Sequence, residues 1–402
     1  MKIEGKKNSL SHYLLLLIPL TSYPFVFCQF LPIPNIKLLV FVFGGILSVL
    51  FVSKRKVHPF SLVFNVIFYV QMICWMFYSV YHTDTSYVTR IALMSIIYIA
   101  LLNAYNTKSG LLPFVVIFNY IILAMAVAGT FCFALVLLGK ISPLFDFPNQ
   151  DGRIAYFFGL TSTNAYFGNI IRYAGFFDEP GAMAYWGMWS LLFNRLFIHN
   201  PKYEKILALC LVFTFSLAYY IQLCLFIIFF AKNRIRQMLT LFALISVSAI
   251  LIYQTKDTEY DIYRFTIQRF EINKKTGKLE GDNRSNLTAL AKKHFFSAPI
   301  LGIGAEKMAM MEYMSDNPYE IFAKDGIVGG FVTYLPLFVL FLIGCRQKEY
   351  LYAVLILFVG YQQRPFHVDF MHPLMLYLLT VLALKRLSNL QFEKAHNRSY
   401  IE

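Results

Sequence analysis

Apolar runs of roughly twenty residues, enough for a helix to cross a hydrocarbon core about 30 Å thick, recur along this chain. They extend from near Leu10 to Leu384 and are separated by short polar punctuation. No stretch between them is large enough for a soluble domain. With 58% hydrophobic and 14% charged residues, the composition points the same way, since soluble domains are about a quarter charged. The expected fold is all-α: one integral membrane domain, residues 1–402, built as a polytopic bundle of about twelve transmembrane helices.

The net charge of +14 would suggest a nucleic-acid partner in a soluble protein. Here the basic residues sit in clusters at the ends of apolar runs, as in Lys54-Arg55-Lys56 and Lys385-Arg386. This is the positive-inside pattern, which fixes orientation, so no nucleic acid is expected. Lys2, Lys6 and Lys7 precede the first run without a small-residue cleavage site, which predicts an uncleaved first helix. The six cysteines show neither paired nor metal-ligand spacing, and no metal or cofactor is expected.

Two outer loops stand out, 139–179 and the larger 254–325, which is polar enough for a subdomain. Between them, Lys202 and Lys205 precede, and Lys232, Arg234 and Arg236 follow, a single apolar stretch. Both clusters fall inside if two short helices meet near Ser216 to Tyr220; one long tilted helix is the alternative. Within 254–325, Asn283 or Ser285 starts a helix with Leu287, Leu290, Ala291, His294 and Phe295 on one face and Lys292 and Lys293 toward water. Asn317, Pro318 and Glu320 form a second helix start of capping-box type.

On this topology polar residues crowd one rim. Arg153, Arg172, Asp178 and Glu179 lie in the first loop, Arg264, Arg269, Arg284 and His294 in the second, and Arg364 with His367 in a last turn. Several guanidinium groups with few uncommitted acids suit an anion, with phosphate the natural candidate. Neither a nucleotide-binding loop nor a nucleophile elbow is present. Each residue also has a plainer role: Arg172 as an interfacial anchor, Glu179 as a helix cap, Arg284 paired with Asp282, and His294 on its helix face.

The order of motifs resembles the O-antigen polymerase and O-antigen ligase superfamily. The motifs are Arg172-Tyr-Ala-Gly-Phe-Phe-Asp-Glu-Pro180, the break at Thr214 and Ser216, Asn283-Arg284, Pro299-Ile-Leu-Gly-Ile-Gly304 and Asp325-Gly-Ile-Val-Gly-Gly330. The resemblance implies a metal-independent, inverting glycosyltransferase acting on a polyprenyl-diphosphate-linked oligosaccharide at the periplasmic face of the bacterial inner membrane. It also implies the lipid bilayer and a chain-length regulator protein as partners. On the matching positions, Arg172 and Arg284, with Arg364, would hold the departing undecaprenyl diphosphate, and Glu179 or His294 would orient or deprotonate the attacking hydroxyl. Arg153, Asp178, Arg264, Arg269 and His367 would complete the substrate site. Ligases of the group usually carry His-Asn where this chain has Asp316-Asn317, which favours a polymerase. The alternatives are a ligase transferring polysaccharide to a lipid A core and a transporter or flippase of lipid-linked oligosaccharide, the latter disfavoured because ionisable residues are rare inside the spans.

Overall fold

The computed structural model describes residues 60–107, 110–148, 153–254, 256, 263, 267–268, 271–272, 285–311, 317–363 and 371–398. The first two expected helices, Leu10–Leu31 and Ile36–Val52, lie outside them, as do Arg264, Arg269, Arg284, Arg364 and His367. What is described is mostly helical. In chain order it contains α1 (Leu62–Tyr81), α2 (Ser86–Tyr105), α3 (Leu112–Leu137), α4 (Pro180–Phe193), α5 (Pro201–Val212), α6 (Leu217–Phe230) and α7 (Arg234–Tyr253). Then follow α8 (Ser285–Ser297), α9 (Ala305–Ala309), α10 (Glu320–Gly344), α11 (Lys348–Gln363) and α12 (Met371–Arg398). Among them α1, α2, α3 and α10 are long and apolar enough to cross a membrane.

The bundle has two distinguishable ends. At one, Arg90 of α2 pairs with Asp325 of α10, and Arg172 of the first long loop reaches the turn between α5 and α6. At the other, Arg386 of α12 meets the Leu196 carbonyl at 2.9 Å and Glu349 of α11 at 3.5 Å, while the Lys385 ammonium lies over the Tyr105 ring. Central to the bundle is α4, which is buried at every position from Pro180 to Phe193. Pro180 opens it, as a residue that lacks an N–H suits the first turn. Trp186 and Trp189 on it are wholly enclosed, so they pack the core and do not line an interface with lipid headgroups.

Between α4 and α7 the chain takes the form of two short helices, α5 and α6. The helix α5 ends at Val212, Phe215 adopts a left-handed φ of 49°, and α6 begins at Leu217. At 1.5 Å per residue neither helix reaches across a bilayer. Of the two readings the apolar stretch allowed, the paired short helices are the one observed. A long tilted helix would have needed residues 213–216 to be helical, and they are not.

One departure from an all-α fold lies in loop 139–179. Residues Phe145–Pro148, Ile154–Phe157 and Ser162–Thr163 form a three-stranded antiparallel meander, β1-β2-β3, with Phe145 opposite Phe157 and Tyr156 opposite Thr163. Alternating aromatic and polar residues such as Phe145-Asp146-Phe147 favour strands, a signal that the apolar spans overshadow. The first-turn boundary of α2 also differs from expectation. It starts at Ser86, four residues before Arg90, because Asp84 Oδ1 accepts from the Ser86 N–H at 2.8 Å.

The expected helix of the larger loop is present as α8. Ala291 is buried against Ala323, with Leu290 and Phe295 alongside, and Lys292 and Lys293 are exposed. The second start is modified: Asn317 accepts from the Tyr319 N–H at 3.0 Å, but no side chain caps α10 itself. Six residues into that helix, Gly326 has φ 65° and ψ −170°, a conformation essentially restricted to glycine. The kink breaks three helical bonds, between the N–H groups of residues 327, 328 and 329 and the carbonyls four residues earlier.

All six groups find substitutes. Segment 299–304 runs beside the kink, where Pro299 and Ile300 carbonyls accept from Ile327 and Val328 N–H at 2.8 and 3.2 Å. In return the Ile303 and Gly304 N–H groups donate to the Ala323 and Lys324 carbonyls at 3.0 and 2.9 Å. The Tyr78 hydroxyl bridges the third gap, donating to the Asp325 carbonyl at 2.5 Å and accepting from Gly329 N–H at 3.0 Å. The two backbones approach so closely that a Cβ on Gly302 would lie 2.2 Å from the Lys324 oxygen, and one on Gly326 2.2 Å from the Ile300 oxygen.

Substituting Gly326→Ala is expected to cost about 3 kcal/mol or more, through backbone strain and overlap with Ile300. Tyr78→Phe, which leaves two buried backbone groups unmet, is expected to cost about 1–3 kcal/mol. Thermal unfolding of the purified protein in one detergent, with both variants beside the parent, measures these losses.

Candidate functional site

The rim that carries loop 139–179 holds two polar centres. The first forms where that loop meets the turn between α5 and α6. A helix end leaves carbonyls without partners, and here there is little water to serve them. Tyr173 donates to the Cys210 carbonyl at 2.7 Å, and Tyr220 to that of Val212 at 2.8 Å. Arg172 takes the last two, donating Nε–H to Thr214 at 3.1 Å and Nη2–H to Phe215 at 3.0 Å. The guanidinium is thus a brace for the turn.

Loop residues after β3 are stitched to hold Arg172 there. Arg172 N–H donates to the Ala165 carbonyl at 3.0 Å, and Thr163 Oγ1 donates to the Arg172 carbonyl at 2.6 Å. The Ser162 hydroxyl ties to the Gly175 and Phe177 carbonyls, both at 3.0 Å. This carries the chain to Asp178, which is buried, and to Glu179 at the amino end of α4. The Glu179 side chain makes no capping bond to its helix. Instead its carboxylate lies 3.7 Å from Nη2 of the exposed Arg153. Four residues named from the sequence, Arg153, Arg172, Asp178 and Glu179, therefore belong to one folded loop. His294 sits apart in sequence on α8, half-buried on the helix whose inner face packs against α10.

The second centre was missed in the sequence. At the kink of α10, Asp325 is fully buried, with Oδ2 3.0 Å from Nη1 of Arg90 and Oδ1 accepting from the Tyr87 hydroxyl at 2.7 Å. Arg90 also lies over the Trp75 ring, 4.4 Å from its centroid. Nearby, Asp84 joins two helix starts, accepting from Ser86 N–H and, at 2.6 Å, from Glu306 N–H. Burial pushes the Asp84 carboxyl up, but hydrogen bonds from the Ser86 side chain and from the Glu306, Ser86 and Ala305 backbones outweigh it, and its pKa lies below the usual carboxylate value. The signal was available: Arg90 is a basic residue at the rim expected to face outside, against the charge rule, and Lys324-Asp325 is a charged pair ahead of a glycine in an apolar run.

No protein-family model, curated protein or solved structure matches this chain. Among the described residues no group of His, Cys, Asp and Glu side chains forms a metal site. The centres supply fixed cations, one paired carboxylate on a rigid helix start, and backbone held open at the bundle's rim.

Removing one partner of the Arg90–Asp325 pair leaves a buried charge uncompensated, so Asp325→Ala is expected to cost about 3–5 kcal/mol. The double change Arg90→Met with Asp325→Ala should cost less than the two single changes added together, a coupling that a double-mutant cycle on detergent unfolding reads directly. For Asp84, a lowered carboxyl pKa means that its contribution is complete above the ordinary value of 3.8 and is lost as pH falls through the lower folded value. Hydrogen exchange at the Ser86 and Glu306 amides should rise over that acid range in the parent protein. In Asp84→Ala it should be high already at neutral pH.

Proposed function

We propose that this chain is a polysaccharide polymerase of the bacterial inner membrane, joining undecaprenyl-diphosphate-linked oligosaccharide repeats at its periplasmic face. On this reading about twelve helices cross the membrane and loops 139–179 and 254–325 lie outside. The observation that carries it is the non-helical turn 213–216, braced by Arg172 and joined through one stitched loop to the Glu179 carboxylate. Irregular backbone inside an apolar bundle is tolerated where it borders a cavity or a substrate path. A rim without nucleotide-binding elements suits a donor that arrives already activated on a lipid.

The reaction is attack by a hydroxyl of the non-reducing sugar of one lipid-linked repeat on the anomeric carbon of a growing chain. A new glycosidic bond forms, the bond to undecaprenyl diphosphate breaks, and configuration inverts. Glu179, on a helix start that cannot move within the core, orients the incoming hydroxyl and receives its proton; His294 is the other candidate for this step. Cations neutralise charge growing on the departing diphosphate, the kind of fixed electrostatic stabilisation that contributes most in a dry site. Arg172 serves by holding the turn in place, and Arg284 and Arg364 act from their loops. The surrounding residues Arg153, Asp178, Arg264, Arg269 and His367 contact the sugars.

Deleting the gene in its host and separating the surface polysaccharide on a gel tests the reading. Loss of a polymerase leaves lipid A core with a single repeat; long polymer stranded on the carrier would mark a ligase, and neither product would mark a flippase. In the purified protein supplied with lipid-linked repeats, Glu179→Gln is expected to slow polymer growth about a hundredfold with folding unchanged.

A further inference from the structure

A cavity of about 320 Å³ lies between α1, α2, α10 and α12. Lys324 and Arg90 line it with Ser86, Thr89 and Thr333, and no Asp or Glu does; the Ser86 hydroxyl is bonded to Asp84, while the buried Thr333 hydroxyl meets no partner among the described residues. Arg90 is committed to Asp325, whose two carboxylate oxygens are taken by Arg90 and Tyr87. Lys324 is different. It is 94% buried (6% exposed), and its ammonium makes no hydrogen bond or ion pair among the described residues. Asp325, Glu320 and Asp84 act on its charge only at longer range, and a buried ammonium whose N–H groups meet no acceptor is costly. Gln71, held by Val332 and Tyr377, and His372, held by Tyr361, also line it and have partners of their own.

We propose that this cavity binds a phosphate group carried on an apolar stem, with Lys324 as its principal counter-charge and Arg90 as its second. A compact ammonium and the Thr333 hydroxyl from α10, with a guanidinium and the Thr89 hydroxyl from α2, suit a tetrahedral oxyanion better than a planar carboxylate, for which one fork is sufficient. Ser86, Thr89 and Arg90 all belong to the first turns of α2, where the helix dipole also favours negative charge. The rest of the lining is apolar, including Trp75, Leu93, Pro336 and Leu376, which accommodates hydrocarbon next to the phosphate and would be wasted on a free ion. The inference deepens the reading of the previous section by locating where a lipid diphosphate is held, yet it stands on the cavity's own charge.

The test is binding to the full-length protein in detergent, with farnesyl diphosphate, inorganic pyrophosphate and farnesol as probes. Farnesyl diphosphate should bind more tightly than either of the others, and Lys324→Met should weaken it roughly tenfold or more, with Lys324→Arg recovering most of the loss. Thr89 is exposed, so Thr89→Glu keeps the fold and tests the same charge: it should weaken binding well beyond Thr89→Gln. Equal binding by the parent, Lys324→Met and Thr89→Glu would overturn the site. Pyrophosphate binding as tightly as farnesyl diphosphate would overturn the apolar stem. Phosphate binding that depends on Lys324 in a protein without polymer synthesis would remove the transfer reaction and leave the site. Polymer growth unchanged in Lys324→Met would do the reverse.

Discussion

The structure depends on an exchange of backbone hydrogen bonds between segment 299–304 and the kink at Gly326. Three helical bonds are given up in α10, and each of their six groups is met by another part of the chain. In an apolar surrounding every unmet group would cost free energy comparable to the bond itself. Because the exchange is complete, α10 can turn at its seventh residue and direct Lys324 and Asp325 inward. The Arg90 pair and the cavity beside it follow from that turn.

Two non-helical breaks at the same rim solve one problem by different means. At Gly326 the substitute partners are mostly backbone, which demands a second extended strand of chain lying in van der Waals contact and explains glycine at both 302 and 326. At 213–216 they are side chains, from Tyr173, Tyr220 and above all Arg172, which has two donors in a fixed fork for two successive carbonyls. The sequence resemblance assigns Arg172 to a diphosphate. Its hydrogen bonds show that this arginine holds the turn.

Helix positions were legible because hydrophobic run length and basic flanks are strong signals, and even the division of 201–230 into two helices followed from Lys202, Lys205, Lys232, Arg234 and Arg236. The amphipathic helix α8 was equally plain from its spacing of apolar residues. The sheet was not, since its strands are short and lie in a stretch that reads as polar loop. The first polar centre was legible as a charged motif before Pro180, although the brace by Arg172 was not, because it depends on a turn forty residues away. The second centre was hidden for a physical reason: Arg90 and Asp325 are far apart in sequence, and nothing local shows that a kink will bring them together.

The Tyr78 hydroxyl stands within the ladder of α10 where a direct link between Asp325 and Gly329 would otherwise run. A glycine bend in a long helix is ordinarily a pivot. Here α1 and segment 299–304 clamp both sides of it, which restrains the upper and lower halves of α10 from swinging independently. If a lipid-linked substrate enters at this end, as proposed, whole packed elements must shift together, and rates of entry and exit should follow how firmly α1 is seated.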